Sequence, residues 1–330
     1  MADSQFDRID DGRPVLLTGA AGFIGHHTAG LLLDGGIDVI GVDSFTDYYD
    51  RATKEHNLAT LSGRDGFRFL EADVRDGRVA EAMRDVQAVV HLAAQPGVRD
   101  SWDDFTIYVD RNVLATKAVL DAALANGSPR VVCASSSSVY GDAPSYPTAE
   151  DAPTEPRSPY GITKLAAERL AVVYGRERGL PTTSLRYFTV YGPGQRPDMA
   201  IQRLVGAAVD GRSFRLFGDG RQIRDFTFVG DVANATATCA MRELPAGGVY
   251  NVCSEHPVTL DDVIAAVTEV AGTAPSIERA GSALGDVDRT GGTAALLRAS
   301  IGWEAATPLL DGIRAQAAEY VRRRDLVGVA

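Results

Sequence analysis

A glycine-rich turn between a short apolar run and a helical stretch constrains the fold of this chain more than any other feature. Residues 18–25 read TGAAGFIG; they follow the apolar run 15–17 and open a helical pattern that ends at Gly35-Gly36. Glycines at 19, 22 and 25 permit a tight turn, close approach of backbone to a pyrophosphate, and close packing of helix on strand. The helix N-terminus adds free N–H groups and a positive dipole end. The spacing therefore predicts a dinucleotide-binding unit.

Strand and helix patterns alternate through the first half of the chain. Further apolar runs predict strands at 39–42, 67–70, 88–92, 130–133 and 183–187, and helical patterns predict long helices at about 105–126 and 160–178. Such alternation implies right-handed crossovers and a parallel sheet covered on both faces. The predicted fold class is α/β, a doubly wound parallel sheet of the Rossmann type with a smaller C-terminal α/β domain that binds substrate.

The alternation of predicted strands and helices becomes less regular after about Phe188. Loops rich in Gly, Pro and Arg follow at 191–198, 218–224 and 281–292. We expect residues 1–188, with a return at about 225–255, to form the domain that binds the dinucleotide. We expect residues 189–224 and 256–330 to form the substrate domain.

The charge balance limits the partners of the chain. It has 33 Lys and Arg against 44 Asp and Glu, a net charge of -11. A nucleic-acid-binding protein needs a basic face, so we expect no nucleic-acid partner. A small anionic substrate remains compatible with this charge, because a few arginines can reverse the field inside a cleft.

Signals for membrane insertion, secretion and metal binding are missing from the sequence. Its apolar runs fall short of the roughly 20 residues that span a bilayer, and the acidic, polar N-terminal segment differs from a secretory signal. Cys133, Cys239 and Cys253 are odd in number and lack metal-ligand spacing. We therefore expect a cytoplasmic protein in a reducing setting, with neither a membrane partner nor a metal.

Asp43 indicates which dinucleotide is bound. It ends the second predicted strand, about twenty residues after the glycines, where an acid can bind the adenosine ribose hydroxyls. Residues 44–50 contain no arginine that could take a 2′-phosphate, so NAD is favoured over NADP. Asp73-Val74 is expected near the adenine, and residues 92–95 are expected beneath the pyrophosphate and ribose.

A tyrosine and a lysine provide the candidate chemistry. Tyr160 and Lys164 are four residues apart on a predicted helix, so they share one face. An ammonium beside a phenol lowers the pKa of the phenol, and a phenolate near a sugar hydroxyl is a general base. The serines at 135–138, at the end of a predicted strand, can bond the substrate oxygen beside Tyr160.

Three motifs together resemble the extended short-chain dehydrogenase/reductases, in particular the nucleotide-sugar epimerases. They are GAAGFIG at 19–25, SSSSVYG at 135–141 and SPYGITK at 158–164, and the resemblance runs from about residue 14 to about 310. It implies a seven-stranded Rossmann sheet with a C-terminal nucleotide-sugar domain. It also implies that Tyr160 is the catalytic base, Lys164 its partner and nicotinamide-ribose ligand, and Ser136 the catalytic hydroxyl.

The resemblance extends to cofactor contacts and to a dimer. The predicted contacts of NAD are Gly19, Gly22, Phe23, Ile24, Gly25, Asp43, Asp73, Val74, Leu92, Ala93, Ala94, Gln95, Tyr160, Lys164 and Tyr187. The helices at 105–126 and 160–178 look like the dimer bundle of the family, with Val113, Val119 and Leu170 as exposed apolar positions. Ordinary core-facing helices show the same pattern.

Residues near the serines and after the last predicted strand narrow the choice of sugar. Dehydratases of this family carry an Asp-Glu pair and decarboxylating relatives a glutamate where this chain has Ser137 and Ser138. Residues 42–50, 95–99 and 187–199 resemble UDP-glucuronate 4-epimerases, and neutral-hexose epimerases often have an asparagine in place of Thr189. The predicted substrate contacts are Arg99, Ser137, Ser138, Thr189, Arg196, Arg224, which matches the diphosphate-binding arginine of the family, and Arg289.

The sequence thus predicts an NAD-dependent epimerase that converts UDP-glucuronate to UDP-galacturonate through a transient 4-keto sugar. Epimerisation of UDP-glucose or UDP-N-acetylglucosamine is a close alternative, and decarboxylation to UDP-xylose is another. A non-catalytic protein that senses NAD is a remote one, because such a protein would tolerate loss of the tyrosine and lysine.

Overall fold

The structure, a computed structural model, describes residues 11–281, 285 and 287–327. The strands are β1 Val15–Thr18, β2 Val39–Asp43, β3 Phe67–Glu71, β4 Ala88–His91, β5 Arg130–Ser136, β6 Thr182–Tyr187, β7 Thr189–Tyr191, β8 Ser213–Phe217, β9 Ile223–Arg224, β10 Phe226–Phe228, β11 Gly248–Val252, β12 Val258–Thr259 and β13 Ser276–Ala280. The α-helices are α1 Phe23–Asp34, α2 Arg51–Ala59, α3 Gly77–Ala82, α4 Phe105–Tyr108, α5 Ala115–Ala125, α6 Pro159–Arg178, α7 Ala200–Asp210, α8 Val229–Met241, α9 Leu260–Ala271, α10 Ala295–Ile301 and α11 Leu309–Val327.

A seven-stranded parallel sheet organises the first part of the molecule. Its strand order is β11-β6-β5-β4-β1-β2-β3, and every neighbouring pair is parallel. The order reverses between β1 and β4, which is where the carboxyl ends of the strands leave a crevice for a ligand. The predicted fold class, a doubly wound α/β sheet, is confirmed.

Two apolar layers cover the faces of this sheet. Leu17 and Val90 belong to one layer, which packs against α1 and α8, and Leu16 and Val89 belong to the other, which packs against α5 and α6. Val119 is completely buried in the second layer. The prediction that Val119 is an exposed apolar position was therefore wrong, because α5 turns this residue towards the sheet.

The predicted helix at 105–126 is not regular. Between α4 and α5 the chain forms a π-helical turn, Val109–Leu114. Turns of this kind occur mostly as local bulges in α-helices and often lie at functional sites. Apolar periodicity alone does not reveal the extra residue, because the helix continues in the same direction on both sides.

A smaller apolar core holds the second part of the molecule together. It is formed by α7, α9, α11 and the short strands beside them, with Ile201, Leu204, Phe214, Val263 and Ile313 at its centre. Strand β11 pairs with β6 in the large sheet. The chain therefore passes between the two parts of the molecule more than once. The exact boundaries of the two domains stay a prediction.

Two further findings concern the described residues alone. Among them, no helix combines the length and apolar character that crossing a membrane requires. They also contain no cluster of His, Cys, Asp or Glu suited to a metal ion. Cys133, Cys239 and Cys253 are buried free thiols.

Candidate active site

The glycine turn leaves no room for side chains and exposes the start of α1. A Cβ atom at Gly19, where φ is +74°, would lie 2.9 Å from the Ala93 nitrogen, and one at Gly25 would lie 2.0 Å from the Gly19 oxygen. Gly22 is the N-cap residue, so no side chain covers the first N–H groups of α1. The turn therefore forms a backbone cradle with a positive dipole end, which fits the pyrophosphate of a dinucleotide.

Asp43 lies beside this turn and is held by three donors. Its Oδ2 accepts from the Ala21 N–H at 3.2 Å, and its Oδ1 accepts from the Phe45 N–H at 2.9 Å and from Lys54 Nζ at 3.3 Å. The sequence interpretation missed Lys54, because it considered basic residues only as far as position 50. The buried Lys54 lies on α2, which brings it back over the end of β2.

The predicted cofactor contacts come together in one groove at the carboxyl end of the sheet. All of them except Gln95 line it. Gln95 lies behind the wall instead, where its N–H donates to Asn112 Oδ1 at 2.7 Å and its Oε1 accepts from Arg111 at 2.8 Å. The predicted contact of Gln95 with NAD is thus not supported by its position, because these bonds turn its amide towards the π-helical turn.

Tyr160 and Lys164 line this groove, and Ser136 lies in the neighbouring cavity wall. The Ser136 hydroxyl favours the charged form of the Tyr160 phenol and so acts to lower its pKa. The Lys164 ammonium is buried and donates to the Ala134 carbonyl, one position before the serines. Because Ser158 caps the start of α6 by accepting from the Gly161 N–H at 3.1 Å, Tyr160 lies in the first turn of a well-defined helix.

The environment of the tyrosine differs from the sequence expectation. Burial raises the pKa of Tyr160, and the groups that oppose the rise are the Ser136 hydroxyl and the charge of Arg196. Burial also lowers the pKa of Lys164 to about 8. The Lys164 ammonium is directed to the Ala134 carbonyl and is not among the groups that act on the pKa of the phenol here; its role as the partner of Tyr160 stays a prediction.

Asn112 is a further polar residue of the site that sequence reasoning missed. It lies in the π-helical turn, is 1% exposed, and donates through Nδ2 to the Gln95 carbonyl and to Thr163 Oγ1, both at 3.0 Å. It thereby links the loop after β4 to α6 between Tyr160 and Lys164. Only the π-helical turn distinguishes Asn112 from its neighbours, and this turn is visible in the structure but not in the sequence.

A second cavity of about 720 Å³ adjoins the first at Tyr160. Residues shared by the two walls are Phe23, Ile24, Tyr48, Pro96, Ser135, Tyr160, Tyr187 and Arg196. The predicted substrate contacts Arg99, Ser137, Ser138, Thr189, Arg196 and Arg224 all line the second cavity. Tyr160 therefore lines both cavities, as proton transfer between a sugar and a base beside a dinucleotide requires.

Arg196 lies at the junction of the two cavities. Its Nε and Nη2 donate to the two carboxylate oxygens of Asp198 at 3.0 and 2.9 Å, which leaves Nη1 outside this bidentate pair. Its guanidinium carbon lies 5.8 Å from the centre of the Tyr48 ring. The nearby Asp198 raises the pKa of Arg196 against the effect of burial, so the charge near Tyr160 is permanent.

The other two predicted diphosphate contacts differ in position. Arg224 lines the second cavity and donates to the carbonyls of Ile223 and Val287 at 2.9 and 2.6 Å. Arg289 lies 4.5 Å over the Tyr146 ring, outside the described wall of the cavity. The predicted role of Arg289 is not supported by this position, because its backbone pairs with Ile223 while its side chain is directed to the neighbouring loop.

Several wall residues of the second cavity were missed. Arg203, Arg215, Phe217 and Gln222 lie there, and the guanidiniums of Arg99 and Arg215 lie 4.0 and 5.1 Å from the centre of the Phe217 ring. The alternation Phe-Arg-Leu-Phe at 214–217 is the only sequence signal for this group. It predicts a half-buried strand but not which ligand its exposed face meets.

Comparison with known proteins identifies the family. The family model described as the NAD dependent epimerase/dehydratase family matches residues 15–253. The chain belongs to this family. The predicted family, the predicted cofactor NAD and the assignment as an enzyme are therefore confirmed.

Three relatives place this family member among the epimerases. An uncharacterized UDP-glucose epimerase of Bacillus subtilis (strain 168) is 34% identical over 301 residues, covering 91% of this chain and 95% of the relative. A UDP-glucuronate 4-epimerase of Thermodesulfobacterium geofontis (strain OPF15) is 33% identical over 304 residues, with coverage of 91% and 93%. The crystal structure of a UDP-glucuronic acid 4-epimerase from Bacillus cereus with UDP-glucuronic acid and NAD superposes with a TM-score of 0.90, at 34% identity and coverage of 94% and 99%.

Proposed function

We propose that this protein interconverts UDP-glucuronate and UDP-galacturonate by epimerisation at C4. The observation that carries the proposal is the position of Tyr160 at the junction of a dinucleotide groove and an arginine-lined cavity, whose wall also includes Ser136. Two of the three relatives described above bear UDP-glucuronate in their names, which supports this sugar over UDP-glucose.

Tyr160 moves the proton in this reaction. As phenolate it takes the proton of the C4 hydroxyl while the C4–H bond breaks, and it returns that proton to the C4 oxygen when the C–H bond forms again on the opposite face. When bound, NAD supplies the acceptor and donor of hydride for C4. The Ser136 hydroxyl donates to the C4 oxygen and holds it against the base. The net reaction consumes neither reductant nor oxidant.

Ser137 and Ser138 limit the reaction to epimerisation. Loss of water from C5 and C6 of a 4-keto sugar needs an acid and a base that can move a carbon-bound proton. A serine hydroxyl does neither at neutral pH. The two serines, whose side chains line the second cavity, can instead donate to a carboxylate without adding charge.

Arg196 is the residue proposed to bind the sugar carboxylate and so prevent decarboxylation. A 4-keto glucuronate is a β-keto acid, and it loses carbon dioxide fastest when the breaking bond stands perpendicular to the carbonyl plane. The Nη1 group of Arg196, outside the pair with Asp198, can hold the carboxylate away from that geometry together with Thr189. This contact favours return of hydride over decarboxylation.

A panel of nucleotide sugars tests the proposed function. The purified protein is incubated with UDP-glucuronate, UDP-glucose, UDP-N-acetylglucosamine and dTDP-glucose, without added reductant, and products are separated by anion-exchange chromatography. We expect UDP-galacturonate as the main product from UDP-glucuronate, with little turnover of the neutral sugars. UDP-galactose as the fastest product would assign the protein to the UDP-glucose epimerases, and UDP-pentose would make it a decarboxylase.

We also propose that the protein is a cytoplasmic homodimer. Phe105, Leu114, Ile162 and Val173 are each about half exposed, and Ile162 and Val173 lie on one face of α6. An exposed apolar face of this kind supports association of two copies. The three buried free thiols support a reducing compartment. Sedimentation equilibrium is expected to give twice the mass of the chain, and I162E/V173E should give the monomer; a monomeric unmodified protein would contradict the proposal.

A further inference from the structure

A buried ion pair lies one helical turn beyond Lys164, and the chemistry proposed above does not use it. The Glu168 side chain is 0% exposed and that of Arg186 on β6 is 3% exposed. Arg186 donates through Nη2 to Oε1 at 2.8 Å and through Nε to Oε2 at 2.9 Å. Taking two charges out of water is costly, and replacing such pairs by apolar residues is often neutral or stabilising. Fold stability alone is thus a weak explanation of this pair.

Glu168 also bonds the strand that carries the catalytic hydroxyl. Ser135 Oγ donates to Glu168 Oε2 at 2.7 Å. Along one face of α6, Tyr160, Lys164 and Glu168 are spaced by four residues, and they contact three consecutive residues of β5. Lys164 donates to the Ala134 carbonyl and Glu168 accepts from the Ser135 hydroxyl, while the Ser136 hydroxyl acts on the pKa of Tyr160. The carboxylate therefore fixes the register between the helix that bears the base and the strand that bears the serines.

Arg186, in turn, is held from two other parts of the site. Its Nη1 donates to the Tyr140 hydroxyl at 2.7 Å and to the Glu150 carbonyl at 2.9 Å. The Tyr140 hydroxyl donates to Asn251 Oδ1 at 2.7 Å. The position of the Glu168 carboxylate is thus set by β6, by the loop after the serines and by β11.

The same carboxylate acts on the charge of Lys164. Burial lowers the pKa of Lys164 to about 8, and Cys133 and Glu168 work against that fall by favouring the ammonium. Burial raises the pKa of the Cys133 thiol to about 12, so this thiol is neutral at the pH where Lys164 titrates. The titratable and charged groups packed around Lys164 and its helix come from the sheet, from α6 itself and from the segment α4–α5; they are His91, Cys133, Arg186, Tyr160, Glu168, Tyr108 and Arg111. Among these groups, Glu168 is the only carboxylic acid.

We propose that Glu168 is a positioning residue that keeps Lys164 protonated and holds the Ser135-Ser136 end of β5 against α6. The inference rests on the proposed role of Lys164 at the cofactor ribose. A role restricted to packing would leave the charge of Lys164 unaffected when the carboxylate is removed. The pH dependence of NAD binding and of kcat therefore distinguishes a positioning role of Glu168 from a role in packing alone.

The test is the variant Glu168→Gln, with Glu177→Gln as matched control. The amide keeps the volume and one acceptor oxygen but removes the charge, whereas Glu177 is an exposed residue of the same helix. The dissociation constant of NAD is measured by fluorescence titration between pH 6 and 10, and kcat over the same range with the UDP-sugar that the unmodified protein turns over. For Glu168→Gln we expect the alkaline limb of both profiles to move to lower pH by about one unit, which is the effect of losing a nearby opposite charge.

A second variant keeps the result interpretable. Glu168→Gln leaves Arg186 unpaired in the core, so the double variant Glu168→Gln/Arg186→Met, which removes both charges, is measured beside it. Thermal unfolding reports whether each variant is folded. We expect the double variant to fold and its alkaline limb to move in the same direction, while Glu177→Gln keeps the original limb.

The outcomes are distinct. A folded Glu168 variant with the original alkaline limb, whether or not kcat is uniformly lower, overturns the proposal. Failure of both variants to fold also overturns it, because the pair would then be a determinant of the core. The NAD titration needs no sugar, so it decides the role of Glu168 even if the panel of sugars contradicts the proposed epimerisation.

Discussion

The groove predicted to bind NAD and the cavity predicted to bind the sugar meet at Tyr160, but they are built in different ways. The groove is built around the backbone cradle of the turn at 18–25 and the carboxyl ends of neighbouring strands of the large sheet. The wall of the cavity is formed by long side chains from separate elements, such as Arg99, Arg196, Arg215 and Arg224. A local motif therefore specifies the groove, whereas only the tertiary fold brings the wall of the cavity together.

The largest effect is expected at Tyr160, one of the residues that line both cavities. Tyr160→Phe keeps the ring and removes only the proton acceptor, so the protein should fold, retain NAD and lose roughly two to four orders of magnitude in kcat. The measurement is a steady-state epimerisation assay beside the absorbance of bound cofactor. Near-normal turnover by this variant would mean that the base lies elsewhere.

On the sugar side, Arg196→His is expected to change the product as well as the rate. The shorter, mostly neutral side chain cannot hold the sugar carboxylate from the same position. A displacement of about 1 Å can cost on the order of a hundredfold in rate. Mass spectrometry should show less UDP-galacturonate and a larger fraction of UDP-pentose, with Arg221→His, an exposed arginine, as control. A slower enzyme that forms no pentose would exclude Arg196 from this role.

The two arginines that sequence reasoning treated alike provide the next comparison. Arg224 lines the cavity, whereas Arg289 lies on the Tyr146 ring. A charge-assisted hydrogen bond contributes about 1.5–3 kcal/mol, so Arg224→Met should raise KM for the UDP-sugar by roughly ten- to a hundredfold. Arg289→Met should change KM by less than about threefold. Equal effects in the two variants would place Arg289 at the diphosphate after all.

The smallest expected effect is on the free energy of unfolding, and it arises from two buried histidines on the side of the molecule that holds the groove. Burial lowers the pKa of His26 and of His91, both in the NAD-binding part, to about 3. At pH values between about 3 and 6.5 the unfolded chain binds protons there and the native state does not, so the free energy of unfolding falls as the pH falls. Each group contributes up to about 1.4 kcal/mol per pH unit in that range.

Urea unfolding at pH 7.0 and 5.5 checks this slope. His91→Gln should reduce the loss of stability between these pH values, and His256→Gln, an exposed control, should leave it unchanged. An unaltered slope in His91→Gln would show that this histidine is protonated in the native state.

These differences explain how far the sequence could predict the structure. Gly19, Gly25 and Asp43 act through the backbone or at a strand end, and their spacing encodes that geometry directly. Gln95 was expected to contact NAD and Asn112 was given no role, because the π-helical turn that pairs them adds a residue that apolar periodicity does not record.

For the sugar cavity, the sequence indicated which types of residue to expect but not which side chains face the cavity. Arg224 and Arg289 both occur in loops rich in charged residues and glycine, and only the pairing of Ile223 with Arg289 decides which guanidinium faces the cavity. The pair of Arg196 with Asp198 and the stacking on Phe217 are likewise tertiary contacts. The ion pair of Glu168 with Arg186 joins residues eighteen positions apart on different elements, which no short motif records.

The central claim is that hydride leaves and returns to the same carbon of UDP-glucuronate, with Tyr160 as the proton carrier. The most direct test uses UDP-glucuronate that carries deuterium at C4, incubated with the purified protein in ordinary water without added cofactor reductant. Proton and deuterium NMR of the product should show UDP-galacturonate that retains deuterium at C4, with no NADH formed in proportion to product. UDP-galacturonate with hydrogen from water at C4, or NADH accumulating with turnover, would contradict the account.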